Sequence, residues 1–115
     1  MEIIWSAMAL SQLKDILIKV QEDYGQRTAQ KTYDKIDSKV NSLLRFPEMG
    51  TPDYTYSSLS LNGNVLVRHI LVVPNVVYYN VDGDIVNVML LAHTKQSPKT
   101  VKNMMKRYFE QQNDK

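Results

Sequence analysis

The sequence predicts an α+β fold, in which an N-terminal strand and a helical hairpin pack on a mostly antiparallel sheet and a further helix follows at the C-terminus. Three observations predict it. Apolar residues recur at three- and four-residue steps through the first 44 residues, which is the helical period. Residues 65–92 are instead rich in β-branched and aromatic side chains, as strands are. Turn signals at Pro74-Asn75 and Asp82-Gly83 divide that second stretch into consecutive strands. Helices first and strands later give segregated layers, with the hairpin on one sheet face and the other face partly open.

Taken in order, "EIIW" (2–5) reads as a short first strand. Ser6 is placed to cap a helix starting at Ala7, with Leu10, Leu13, Leu17, Val20 and Tyr24 as its apolar stripe. Gly25 sits where a helix end takes a left-handed residue. A second helix begins near Thr28, with Tyr33, Ile36, Val40, Leu43 and Leu44 on one side and Asp34, Lys35, Asp37 and Lys39 on the other. Pro47 in "RFPEMG" stops it. Helices joined this closely pack as an antiparallel hairpin. "TPDYTYSS" (51–58) has no period and reads as a loop, and "SLSLNGN" as a short strand or turn. "VLVRHILVV", "VVYYNV" and "IVNVMLLAH" make a meander, its second turn at Asp82-Gly83. Ser97 caps a last helix, 98–112, whose first position takes Pro98. Val101, Met104, Met105 and Tyr108 form its stripe, which so short a helix must bury against the domain.

A chain of 115 residues suits one domain, 1–115. It has no cysteine, which excludes disulfides and cysteine-held zinc. No apolar run approaches the ~18 residues that suggest a membrane span. The N-terminus lacks the pattern of a secretory signal, so a cytoplasmic protein is expected. The net charge of +2 is mild but uneven. From His93 to Phe109 there is no acidic residue, while Lys95, Lys99, Lys102, Lys106 and Arg107 are basic. The histidines lack the supporting ligands of a metal site, and no cofactor is expected.

The residues also carry a family resemblance. "IIWSAMALSQLKDI" looks like the opening of RelE/ParE-superfamily toxins, a strand ending in Trp-Ser and then a helix with Ala and Leu-x-x-Ile. "TAQKTYDKIDSKVNSLLRFPEMG" is similar to their second helix, closing in Leu…Pro-x-x-Gly. "VRHILVVPNVVYYNVDGDIVNVMLLAH" resembles their sheet, with an arginine strand, a Tyr-Tyr strand, a hairpin, and a strand ending near histidine. The resemblance covers residues 2 to about 96, and the helix 98–112 lies outside it. It implies the toxin of a type II toxin–antitoxin pair, cytoplasmic and wrapped by a cognate antitoxin. RelE-like members cut messenger RNA on the ribosome; ParE-like members poison DNA gyrase without being enzymes themselves.

The candidate residues are weighed between those chemistries. RNA cleavage needs a base, an acid and positive charge at the phosphate. By the resemblance Arg68 is the sheet arginine and would stabilise that charge from the open face, or serve only as a strand residue. His69, its neighbour, then points the opposite way, beneath the helices or at the sheet edge. His93 follows the last strand and could move a proton, or merely cap the sheet. Lys95 is the next candidate phosphate contact. Of Tyr78 and Tyr79, one ring faces each side, and cross-strand packing is their expected use. "AHTKQSP" and "EQQNDK" lack the dense basic cluster and terminal tyrosine of the nucleases, which favours the ParE-like reading. A ribosome-dependent endoribonuclease built on Arg68, His93 and Lys95 is the alternative, and a binding module without toxicity is the third. Expected docking surfaces are the hairpin groove, an edge strand, and the basic helix with Lys99, Lys102, Met105, Lys106 and Arg107, which would suit an acidic antitoxin helix.

Overall fold

The computed structural model describes residues 1–113 and has the expected α+β architecture. The chain runs β1 (Glu2–Trp5), α1 (Ala7–Tyr24), α2 (Gln26–Asn41), β2 (Thr51–Pro52), α3 (Tyr54–Ser57), β3 (Arg68–Val72), β4 (Asn75–Asp82), β5 (Ile85–His93) and α4 (Pro98–Asn113). The five strands lie in the order β1-β5-β4-β3-β2, antiparallel except for the parallel pair β1–β5.

Local chemistry sets the element ends. Ser6 caps α1 by accepting the Ala9 N–H at 2.9 Å, and its hydroxyl donates to the carbonyl of Met89 at 2.6 Å. Gly25, at φ 96°, ends α1, and α2 starts at the next residue rather than near Thr28. The segment expected to be a loop at 51–58 contains β2 and α3. The second hairpin turns on Gly83-Asp84, one residue later than expected, with the positive φ at Gly83.

The sheet separates two cores. Ala9, Leu13, Ile36, Val40 and Leu43 of the hairpin meet Ile70, Val72, Val77, Tyr79, Val86, Val88 and Leu91 on one face. The α1 stripe is therefore offset from the expected one: Leu13 and Leu17 pack inward with Ala9 and Ile16, while Leu10 and Tyr24 are exposed. Ala9 lets the helix approach the sheet closely, which turns Leu10 outward. On the other face Val67, Val76, Tyr78, Met89, Leu90 and Ala92 meet Val101, Met104, Met105, Tyr108 and Phe109 of α4. That face is not the partly open one expected. Each fully buried side chain contributes roughly 1.5–3 kcal/mol, so α4 is a structural layer.

A bulge between Tyr78 and Tyr79 shifts the β4–β5 register, and it puts consecutive residues Met89 and Leu90 on the α4 face. Beyond Val88, β5 no longer has β1 beside it. Side chains of α1 fill the gap, since Gln12 Oε1 accepts the Leu91 N–H at 2.7 Å while Ser6 takes the Met89 carbonyl.

Candidate functional site

Period two places Arg68 and His69 on opposite faces, but in the phase opposite to the expected one. Arg68 shares its face with Ile70 and Val72, under the hairpin, and stands opposite Tyr79 on β4. Its Nη1 donates to the carbonyls of Glu48 (3.1 Å) and Gly50 (2.9 Å). Tyr79 completes a clamp on the same segment. Its hydroxyl donates to the Pro47 carbonyl at 2.7 Å and accepts the Gly50 N–H at 2.9 Å. Burial raises the Tyr79 phenol pKa, and the Gly50 hydrogen bond and the Arg68 charge partly offset that rise. Arg68 thus holds backbone oxygens of the α2–β2 connection through Nη1.

His69 lies on the α4 side, opposite Tyr78. Its Nδ1 meets Asp53 Oδ2 at 2.5 Å, with both side chains about three-quarters buried. The Tyr78 ring lies 5.9 Å from the imidazole and 5.6 Å, edge-on, from Tyr56. Burial above all, with the nearby Tyr56 and Asp53, holds the Tyr78 phenol far above the usual tyrosine range. An Asp–His pair is the orienting half of a catalytic triad. Among the described residues, no hydroxyl is hydrogen-bonded to the far nitrogen of His69. Here the pair latches the Asp53 segment to β3.

His93, half-buried, ends β5. Its Nδ1 accepts the Lys95 N–H at 3.0 Å, which makes Nε2 the protonated nitrogen of the neutral ring, and its own N–H goes to Gln96 Oε1 at 2.7 Å. Lys95 is exposed on that turn. These contacts fix the entry to α4. They also lie at the wrong end of the sheet for Arg68. Arg68 is in line with Tyr79 and Val88, whereas His93 is in line with Asn75 and Val72. Four residues along a strand at ~3.3 Å and two strand spacings at ~4.8 Å separate them by about 16 Å. Arg68, His93 and Lys95 are not brought together around one phosphate.

A protein-family model described as the ParE toxin of type II toxin–antitoxin systems, parDE, matches residues 3–98. The chain belongs to the ParE toxin family. No curated protein matches the chain. Family membership makes it the toxin half of a type II pair, with an antitoxin as partner. The match ends at Pro98, where α4 begins.

On α4 the toxin divides the expected partner residues in two. Met105 is completely buried between α4 and the sheet, so it lines no outer surface, because its helix faces the second core. Met104 is buried beside it. Lys99, Lys102, Lys106 and Arg107 are all exposed. Among the described residues the ion pairs are Lys19–Asp23 and His69–Asp53, so none of the four has a carboxylate within 4.0 Å. Lys99 stands in the first helical turn, where a cation costs about 0.3–1 kcal/mol, and Lys102 and Lys106 form an i,i+4 like-charge pair. No helix of the described residues is long and apolar enough to cross a membrane.

Sequence reasoning missed Asp53, Tyr56 and Gln12. Asp53 and Tyr56 sit in a stretch without period, and only the fold brings them to His69 and Tyr78. The Gly50–Tyr79 contact had one signal, the glycine closing "RFPEMG".

Proposed function

We propose that this toxin arrests growth by protein contact with DNA gyrase in the cytoplasm, without cleaving RNA itself, and that residues 1–115 act as one toxin domain. What carries the reading is the separation of Arg68 from His93 and Lys95, together with the use of Arg68 as a backbone clamp. A nuclease site would need those groups on one phosphate. The antitoxin segment is placed on the hairpin side. There Leu10 and Tyr33 are exposed beside Trp5, Leu13 and Ile36 in a recess of about 260 Å³, and a second recess of about 370 Å³ continues along Leu17, Ala29 and Tyr33. An amphipathic helix laid in that groove would bury these side chains.

Two measurements test the proposal together. Purified toxin added to gyrase and plasmid DNA is expected to block supercoiling or accumulate cleaved plasmid. Mapping of new 5′ ends across cellular mRNA after brief induction is expected to show no codon-phased breaks. Phased breaks confined to translated regions, with gyrase unaffected, would replace this reading by the ribosome-dependent nuclease.

A further inference from the structure

We infer that the outer face of α4 is a sequence-independent binding surface for the phosphate backbone of duplex DNA. The inference stands apart from the gyrase reading, since it concerns DNA bound by the toxin alone. It starts from the distribution of charge. Five of the 14 basic residues, Lys95, Lys99, Lys102, Lys106 and Arg107, fall in one stretch without an acidic residue; the other nine face 12 acidic residues, so the rest of the chain nets −3. The +2 of the whole chain thus conceals a strongly polarised molecule.

The arrangement does not serve the helix. A lysine in the first turn opposes the helix dipole, and Lys99, Lys102 and Lys106 repel one another at three- and four-residue steps. Among the described residues none has a carboxylate partner, and the acidic group that α4 itself carries there, Glu110, lies near the far end of the helix. The side chains of the opposite face are buried on the sheet, so the helix presents these basic positions outward.

The chemistry of the face selects the partner. A protein helix would need apolar anchors between the charges, but Val101, Met104, Met105, Tyr108 and Phe109 are all buried. A single strand of RNA or DNA would need exposed rings for its bases to stack on, and the aromatic residues of α4 are those two buried ones. Duplex DNA needs neither, and it carries a charge every ~1.7 Å of its axis. From Lys99 to Arg107 the helix rises about 12 Å, the width of a B-form major groove. Recognition of duplex RNA spans about 16 base pairs and two successive minor grooves, farther than this face reaches.

The test is fluorescence anisotropy of the full-length toxin with a labelled duplex of about 20 base pairs, across a salt series. Four to five phosphate contacts give a slope of log K against log salt of about −4, and the Lys99→Gln/Lys102→Gln/Lys106→Gln variant should bring it to between about −1 and −2. The matching triple Lys→Arg variant should keep the parent slope. Circular dichroism melts confirm that the variants fold, as expected for exposed positions. Absence of binding at low salt, an unchanged slope in the glutamine variant, or tighter binding of single-stranded RNA or of polyglutamate than of duplex DNA would overturn the inference.

Discussion

At Gly50 a methyl group has no room. A Cβ there would lie 2.5 Å from the Tyr79 hydroxyl oxygen and 2.9 Å from the His69 carbonyl oxygen. Gly50→Ala is expected to push Tyr79 out of its clamp and lower the thermal midpoint. Tyr79→Phe removes the same two hydrogen bonds without a clash, and should cost about 1–3 kcal/mol in urea denaturation. The phenols also set the alkaline limit. Burial raises Tyr56, Tyr78, Tyr79 and Tyr108 above 10, the ordinary tyrosine value. Above that pH the unfolded chain loses protons that the folded protein retains. Their stabilisation is therefore complete below pH ~10 and is lost as pH rises through the folded values. Alkaline unfolding followed by circular dichroism should begin at higher pH in a Tyr78→Phe variant than in the parent. The sequence showed that Arg68 and His69 must point apart, yet not which faces the hairpin. Leu71 and Val73 are as apolar as Ile70 and Val72, so alternation left the phase open. Only the packing of Ile70 and Val72 under α1 and α2 resolves it.

Among the elements, α4 is both wall and surface. Met105→Ala should cost about 2–5 kcal/mol, because it opens a cavity in the second core, whereas Lys102→Gln should stay within ±0.5 kcal/mol. Urea midpoints of the two variants measure the difference. The longer helices and the three central strands were legible because each spans enough residues to display its period. A two-residue strand and a four-residue helix cannot, which is why β2 and α3 read as loop. The bulge on β5 was hidden for another reason. In "MLL" every residue is apolar, so an extra residue on one face leaves no mark in the pattern. The expectation of a partly open sheet face failed because the last helix and the segment around Tyr56, Leu59 and Val65 cover it together.

For the whole molecule, the two sheet faces separate the proposed roles. The hairpin side has exposed apolar recesses suited to an amphipathic partner, and the α4 side ends in an outer row of cations. A Leu10→Glu change is expected to weaken antitoxin binding in a calorimetric titration while leaving DNA affinity unchanged, because the two surfaces lie on opposite sides of the sheet. The parallel pairing of β1 with β5 has a consequence in time. Glu2–Trp5 must find Ile85–Val88, and Ser6 must find Met89, 83 positions downstream. At ~5–20 residues per second, a ribosome makes that second strand roughly 4–17 s after the first. Throughout that delay β1 has no strand to pair with. A message broken before codon 85 would release a peptide unable to close the sheet. The toxin's first strand thus waits for residues 85–89 before the sheet can close.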